Sequence, residues 1–111
     1  YEEGFKGLPL TMNPYLDCMH PNFWLSCLLL EDGCGMTAME LMERLRQADI
    51  ESRPIWKPMH MQPVFADRDF ITAAEAPVNE YIFEHGLCLP SDLKMTEEDQ
   101  DRVIEIIRAA F

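Results

Sequence analysis

Positive charge is the scarcest property of this sequence. Its 111 residues include 20 Asp and Glu against 9 Lys and Arg, which leaves a formal net charge of −11. Nucleic acids and anionic membrane surfaces bind proteins through a basic face. The composition therefore argues against both as partners, although it leaves room for a locally positive site that holds a phosphate.

Several sequence signals of catalysis and targeting are also missing. There is no Gly-rich phosphate loop, no nucleophile elbow and no H-E-x-x-H metal motif. The longest apolar run, FWLSCLLL, is far too short to span a membrane, and no signal-peptide pattern is visible. We therefore expect neither a membrane partner nor a self-contained catalytic motif.

The cysteines and histidines show no metal-ligand spacing. Cys18, Cys27, Cys34 and Cys88 form no C-x-x-C pair, and the three histidines match no known ligand pattern. Cys27 and Cys88 fall within apolar runs and are interpreted as small hydrophobic core residues. This usage predicts no metal site, reduced thiols and a cytoplasmic protein.

Hydrophobic periodicity predicts an α/β fold, more specifically an α+β two-layer sandwich in which helices cover one face of a small sheet. A hydrophobic content of 48% is sufficient for a single packed core. Residues 1–21, punctuated by Gly and Pro, predict an extended loop. The continuous apolar run of residues 22–31 predicts a buried strand.

The remaining elements are predicted from capping signals and breakers. Thr37 and Glu40 form a capping box at the start of an amphipathic helix. Thr96 is the expected N-cap of the last helix, with acidic residues in its first turn. Between these helices the sequence predicts four elements: an extended segment at 50–57, a linker at 67–76, a helix from Pro77 to Gly86, and a short strand at 87–90.

The segment ESRPIWKPMHMQPVF, residues 51–65, is unusual in this acidic chain. Within ten positions it gathers five side chains suited to binding, namely Arg53, Trp56, Lys57, His60 and Gln62. A cation beside an aromatic surface can hold a phosphate or carboxylate, and a histidine can contact a hydroxyl or shuttle a proton. The prolines stiffen the backbone, which pre-organises these groups.

A structural interpretation of the same segment stays open. Arg53 could pair with one of the many acids, Trp56 could pack in the core, and the prolines could simply turn the chain. A lone histidine is more often structural than functional. The functional interpretation depends on the coincidence of five such residues in one short stretch.

Three segments in this order resemble a known family: NFWLSCLLL, IESRPIWKPMHMQPVF and GLCLPSDLKMTEEDQDRVIEII. Together they are similar to the C-terminal domain of the DegT/DnrJ/EryC1/StrS family of pyridoxal-phosphate-dependent sugar aminotransferases. The branch that looks most similar acts on UDP-4-keto sugars in pilin, capsule and surface-glycan pathways. The resemblance covers about residue 13 to the end of the chain. It implies the small domain of a fold-type-I transferase at residues 22–111, with residues 1–21 leading in from a missing N-terminal large domain.

The resemblance also implies an activity and its division between domains. The full-length enzyme would be a homodimer that moves an amino group, from a donor such as glutamate, to the keto carbon of a nucleotide-linked sugar. In the family, the lysine that binds pyridoxal 5'-phosphate belongs to the large domain. None of Lys6, Lys57 and Lys94 lies in a context like that lysine's. We therefore expect no catalytic or cofactor-binding residue in this chain and no activity from it alone.

The family's RP-x-W-K-P-M-H pattern lines the cleft between the two domains. Carried over, it makes Arg53, Trp56, Lys57, His60 and Gln62 candidates for substrate binding. Arg53 or Lys57 would face an anionic group, His60 and Gln62 would meet hydroxyls or the diphosphate, and Trp56 would pack on the cleft wall. An alternative of a different class is a free-standing module that binds a nucleotide-sugar or a protein without catalysis. A thiol- or metal-dependent enzyme has little support, because the Cys and His spacing suits neither.

Overall fold

The computed structural model describes residues 1–73 and 75–111 and contains one antiparallel sheet of four strands in the order β1-β2-β4-β3. The strands are β1 (Leu10–Met12), β2 (Ser26–Leu30), β3 (Arg53–Pro54) and β4 (Gly86–Leu89). The helices are α1 (Ala38–Gln47), α2 (Val78–His85) and α3 (Glu97–Arg108). Two turns of 3-10 helix, Met59–Met61 and Pro63–Phe65, lie between β3 and α2.

The core lies between one face of this sheet and the helices α1 and α3. Alternate residues of a strand point to opposite faces, so Leu28 and its cross-strand partner Leu87 point to the same side. That side carries the leucines of the central strands, which pack against leucines of α1 and against Val103 and Ile107 of α3. Leu28, Leu87 and Ile107 are almost fully buried. The predicted α+β two-layer sandwich is therefore confirmed.

Local signals at the helix ends are confirmed in the structure. Thr37 and Glu40 form the predicted capping box at α1. Thr96 is the N-cap of α3, where Asp99 completes a second capping box by accepting from the Thr96 backbone N–H at 3.0 Å. Each box satisfies backbone N–H groups that have no partner within the helix. Both helices therefore begin where short-range chemistry places them.

Helix α2 also begins and ends at the predicted breakers, with Pro77 as N-cap and Gly86 as C-cap. Its packing is weaker than that of the other helices, because none of its residues is buried and Val78 at its start is 64% exposed. The linker predicted at 67–76 includes residue 74, which lies outside the described residues.

The first strand is a correction to the sequence prediction. Residues 1–21 were predicted as an extended loop, yet β1 lies among them and pairs with β2, with Leu10 opposite Leu30. Phe5 is only 3% exposed and belongs to the core. A strand of three residues is too short to show a detectable alternation, and neighbouring Gly and Pro residues hide it.

The strand predicted at 22–31 is shorter than expected. Only Ser26–Leu30 form the strand β2, and Trp24 before it is 72% exposed instead of buried. Phe23 has a positive φ of 50°, which ends the extended conformation on that side. The aromatic residues of NFWLSCLLL therefore lie outside the sheet, and only its aliphatic half enters the core.

Candidate functional site

The segment 51–65 is built from an edge strand followed by proline-directed turns. Arg53 and Pro54 form β3 at the edge of the sheet, where proline costs no ladder hydrogen bond on the open side. Pro58 precedes the first 3-10 turn and Pro63 starts the second. Because each proline fixes its φ near −65°, the chain changes direction at defined points.

Arg53 lies on the exposed edge and is already paired. Its Nε and Nη2 donate to Oε1 of Glu51 at 2.9 and 2.6 Å. Both side chains are about three-quarters exposed, at 77% and 74%. An ion pair so open to water contributes at most about 1 kcal/mol, so a phosphate could displace the carboxylate at low cost.

The structural interpretation of Trp56, in which its side chain packs in the core, is wrong. Trp56 is 64% exposed, and its ring lies 6.2 Å from the ring of Trp24, at an interplanar angle of 32°. Two adjacent exposed tryptophans form an apolar surface beside the polar groups of the segment. Such a surface suits stacking on a planar or apolar part of a ligand.

The side chain of Gln62 approaches the backbone of Lys57, and the Lys57 side chain is exposed. Nε2 of Gln62 lies 3.5 Å from the carbonyl oxygen of Lys57, at the limit of a hydrogen bond. Lys57 is exposed. Its ammonium group is therefore available to an anion, while the Gln62 amide braces the turn that follows.

His60 is held by two neighbours that lie later in the chain. Its Nε2 is 2.7 Å from Oε1 of Glu80 on α2. Its ring stacks on Phe70, with centroids 3.6 Å apart and an interplanar angle of 12°. The His60 side chain is 17% exposed. The imidazole is thus fixed in orientation by a carboxylate and an aromatic ring.

The structure does not bring the five predicted residues into one pocket. Arg53 and Trp56 line a cleft of about 710 Å³, whereas Lys57, His60 and Gln62 do not line it. The cleft runs between β3, the end of β4 and the first two turns of α3. Its charged lining residues, apart from Arg53, are Asp49, Glu51, Asp92, Lys94, Asp99 and Arg102.

Lys94 and Arg102 are cleft residues that sequence reasoning missed. They lie about 40 to 50 positions after Arg53, so no local motif joins them. The pairing of β3 with β4 brings the segment around Arg53 close to the segment after β4, which contains Lys94 and Arg102. Asp99 is held in its charged form, because a hydrogen bond from the Thr96 backbone lowers the pKa of its carboxyl group. Three cations and four carboxylates therefore share the lining, which makes the cleft mixed in charge.

Neither a metal site nor a membrane span is found in the part of the chain that the structure describes. Within residues 1–73 and 75–111, no group of three or more His, Cys, Asp or Glu residues could hold a metal ion. In the same residues, no helix has the length and apolar character needed to cross a membrane.

Comparison with known proteins gives consistent results. The model of the DegT/DnrJ/EryC1/StrS aminotransferase family matches residues 1–108. The chain is 41% identical over 91 residues to "Putative pyridoxal phosphate-dependent aminotransferase EpsN" of Bacillus subtilis (strain 168). The aligned region covers 81% of this chain and 23% of that protein. It is 34% identical over 82 residues to GDP-perosamine synthase of Caulobacter vibrioides, and that aligned region covers 74% of this chain and 21% of the relative.

A solved structure shares the fold. Helicobacter pylori PseC, an aminotransferase involved in the biosynthesis of pseudoaminic acid, matches with a TM-score of 0.77 and 18% identity. The match covers 99% of this chain and 29% of PseC. The chain thus spans less than a third of the length of each of these three proteins. The family model matches nearly the whole chain, and so this chain belongs to the DegT/DnrJ/EryC1/StrS aminotransferase family.

Proposed function

We propose that this chain is the small C-terminal domain of a pyridoxal-phosphate-dependent aminotransferase that acts on a nucleotide-linked keto sugar. The amino group would come from glutamate, and the product would enter surface-polysaccharide or glycan biosynthesis in the cytoplasm. The observation that carries the proposal is the family match over residues 1–108. The names of two relatives support it. One is called a pyridoxal phosphate-dependent aminotransferase, and the other is called GDP-perosamine synthase.

The residues of this chain do not fit a pyridoxal phosphate site of their own. A lysine that binds the cofactor needs a desolvated position, where its amine is activated. Lys6 is exposed and lies 3.8 Å from Glu3, and both Lys57 and Lys94 are exposed. We therefore assign the cofactor to the rest of the full-length protein, which would be a homodimer, and we expect the chain alone to be inactive.

The role proposed for this chain is to contact the substrate. Arg53 or Lys57, both of which have exposed cationic groups, would face an anionic group of the substrate, and Trp56 would pack against an apolar part of the ligand. His60 would contact a sugar hydroxyl from the orientation that Glu80 and Phe70 impose. Gln62 would contribute a further polar contact or brace the turn. The acidity of the rest of the chain makes these few cations the natural place for an anionic substrate.

The test compares the full-length protein with the isolated chain. Each is incubated with a nucleotide-linked 4-keto sugar and glutamate, and mass spectrometry detects the amino sugar while a coupled assay detects 2-oxoglutarate. We expect product from the full-length protein, bound cofactor in its absorption spectrum, and neither from the chain. Failure of the full-length protein to bind pyridoxal phosphate, or to aminate any nucleotide-linked keto sugar, would refute the proposal.

Variants of the full-length protein test the substrate contacts. Lys57→Ala should raise KM about tenfold or more, since a hydrogen bond to a charged group contributes about 1.5–3 kcal/mol and every 1.4 kcal/mol or so is a factor of about ten. The matched control is Lys6→Ala, which removes an exposed lysine that lines neither the cleft nor the segment 51–65. Equal KM values for the two variants would show that Lys57 does not contact the substrate.

The alternative proposal is a binding module that acts without catalysis. It is favoured by the cleft of about 710 Å³, which this chain forms alone and which contains Trp56 as a fluorescent reporter. Titration of the isolated chain with a nucleotide-sugar, followed by tryptophan fluorescence, distinguishes the two proposals. Saturable binding by the chain, together with an inactive full-length protein, would support the module.

A further inference from the structure

Two cysteines face each other at the centre of the sheet. Cys27 of β2 and Cys88 of β4 are cross-strand partners, and Arg53 of β3 is the partner of Cys88 on the other side. Directly opposed residues of an antiparallel pair point to the same face. These three residues therefore form a row across β2, β4 and β3, on the face opposite the leucine core.

The backbone around Cys27 shows which kind of pair the cysteines form. The N–H of Cys27 donates to Oδ1 of Asn13 at 2.8 Å, and its carbonyl accepts from the N–H of Asn13 at 2.6 Å. Both backbone groups of Cys27 are thus directed toward Asn13, away from β4. Cys27 and Cys88 consequently form a non-hydrogen-bonded pair, the kind in which opposed Cα atoms are only about 4.5 Å apart.

That geometry allows a covalent bond between the two thiols. Disulfides join residues whose Cα atoms lie about 4.4–6.8 Å apart, so this pair is at the short end of the range. The two Sγ atoms are 3.7 Å apart and both thiols are free. Rotation about the side-chain bonds can bring the sulfurs together without moving the strands.

We propose that Cys27 and Cys88 are a site of reversible oxidation, at which exchange with a small-molecule disulfide of the glutathione type closes a cross-strand disulfide. The Cys27 thiolate attacks one sulfur of the oxidant, whose S–S bond breaks and releases one small thiol. Cys88 then loses its proton and attacks Sγ of Cys27, which releases the second small thiol. In total, two protein thiols are oxidised and one small disulfide is reduced to two thiols.

The environments of the two sulfurs set the order of attack. Cys88 is buried, at 8% exposure, whereas Cys27 is half-buried. Burial, and next the contact with Cys27, raise the pKa of Cys88 to about 12. The thiolate is the attacking species, so Cys27 reacts first and Cys88 resolves the mixed disulfide. A small thiol can attack the closed disulfide by the same exchange reaction, which makes the modification reversible.

The experiment uses the 111-residue chain with Cys18→Ser and Cys34→Ser, which leaves Cys27 and Cys88 as its thiols. Serine at position 34 retains a hydroxyl that can donate to the Met36 carbonyl, as the thiol does. The protein is equilibrated with reduced and oxidised glutathione at several ratios, quenched with acid, alkylated and weighed by mass spectrometry. We expect a monomer lighter by two hydrogen atoms, free of glutathione and restored by a reducing agent.

Single-thiol variants in the same background test the order of attack. The Cys88→Ser variant should retain one glutathione per chain, because no second thiol resolves the adduct. The Cys27→Ser variant, whose remaining thiol is buried, should react at least about tenfold more slowly. Far-UV circular dichroism confirms that each variant is folded before oxidation.

Three results would overturn the proposal. The first is a folded parent that keeps both thiols at the most oxidising ratio. The second is a parent that accumulates glutathione adducts or disulfide-linked dimers instead of the internal disulfide. The third is a Cys27→Ser variant that reacts as fast as the Cys88→Ser variant, because it would contradict the assigned nucleophile. None of these results depends on the aminotransferase proposal.

Discussion

Gly86 occupies a position where a side chain has no room. It joins α2 directly to β4, with an ordinary φ of −98°, so its role concerns space and not conformational freedom. A Cβ atom at this position would overlap the backbone carbonyl oxygen of Ile82 and the Cγ1 atom of Ile55. The carbonyl is part of α2 and cannot rotate away, while Ile55 precedes Trp56 of the candidate site.

We predict that Gly86→Ala destabilises the chain. Overpacking costs about 1–3 kcal/mol, and overlap with a backbone carbonyl that cannot move places this substitution in the upper part of that range. The reduced entropy of the unfolded chain offsets about 0.4–1 kcal/mol, which leaves a net loss of about 1–2 kcal/mol. For a chain of this length, such a loss lowers the Tm by about 4–8 °C. The displacement of Ile55 should also alter the tryptophan emission of the folded state, through Trp56.

The assay is urea-induced unfolding followed by far-UV circular dichroism, with the m-value checked for constancy. The comparison variant is Gly4→Ala, for which the three atoms nearest to the added Cβ all belong to the Ile104 side chain, at 2.5–3.0 Å. Because the nearest of these atoms, Cδ1, is the far end of a side chain and not a backbone atom, Gly4→Ala should cost less than Gly86→Ala. A Gly86→Ala chain within about 0.5 kcal/mol of the parent would show that the α2–β4 junction has room for a methyl group.

Four further predictions concern the core, the cap of α3 and the candidate site. Leu41→Ala removes a fully buried side chain and should cost about 2–5 kcal/mol, measured by urea unfolding. Thr96→Ala should cost about 1 kcal/mol at neutral pH through the lost cap of α3. Because the pKa of Asp99 is lowered in the folded state, its contribution is complete above its ordinary pKa and is lost as the pH falls through the folded value. The stability difference between the parent and Asp99→Ala should therefore shrink in acid. Glu80→Ala should cost about 1 kcal/mol and change the ring-current shifts of His60 in NMR spectra, whereas unchanged His60 shifts would disprove the contact.

The helices of this protein could be predicted because their signals are local. A capping box such as Thr37–Glu40 uses residues three positions apart, and an amphipathic stripe repeats within one turn. Pro77 and Gly86 mark the ends of α2 for equally local reasons. The family resemblance also lay in contiguous segments, and the match over residues 1–108 confirmed it.

The candidate site was only partly accessible in the same way. The sequence shows that cations, aromatics and His60 lie close together between residues 51 and 65. It does not show that Glu51 would bind Arg53, or that Phe70 and Glu80 would hold His60. Acidic residues are so common in this chain that no pattern singles out the partner of a given cation.

The amino-acid sequence by itself determined the three helices, their caps, the aliphatic half of β2 and the family. The tertiary structure alone decided that β1 joins the sheet, that Arg53, Lys94 and Arg102 share a cleft, and that Cys27 meets Cys88. These features join segments that lie tens of residues apart. They depend on strand register, which is set by the burial of one common core and not by the propensity of any short segment.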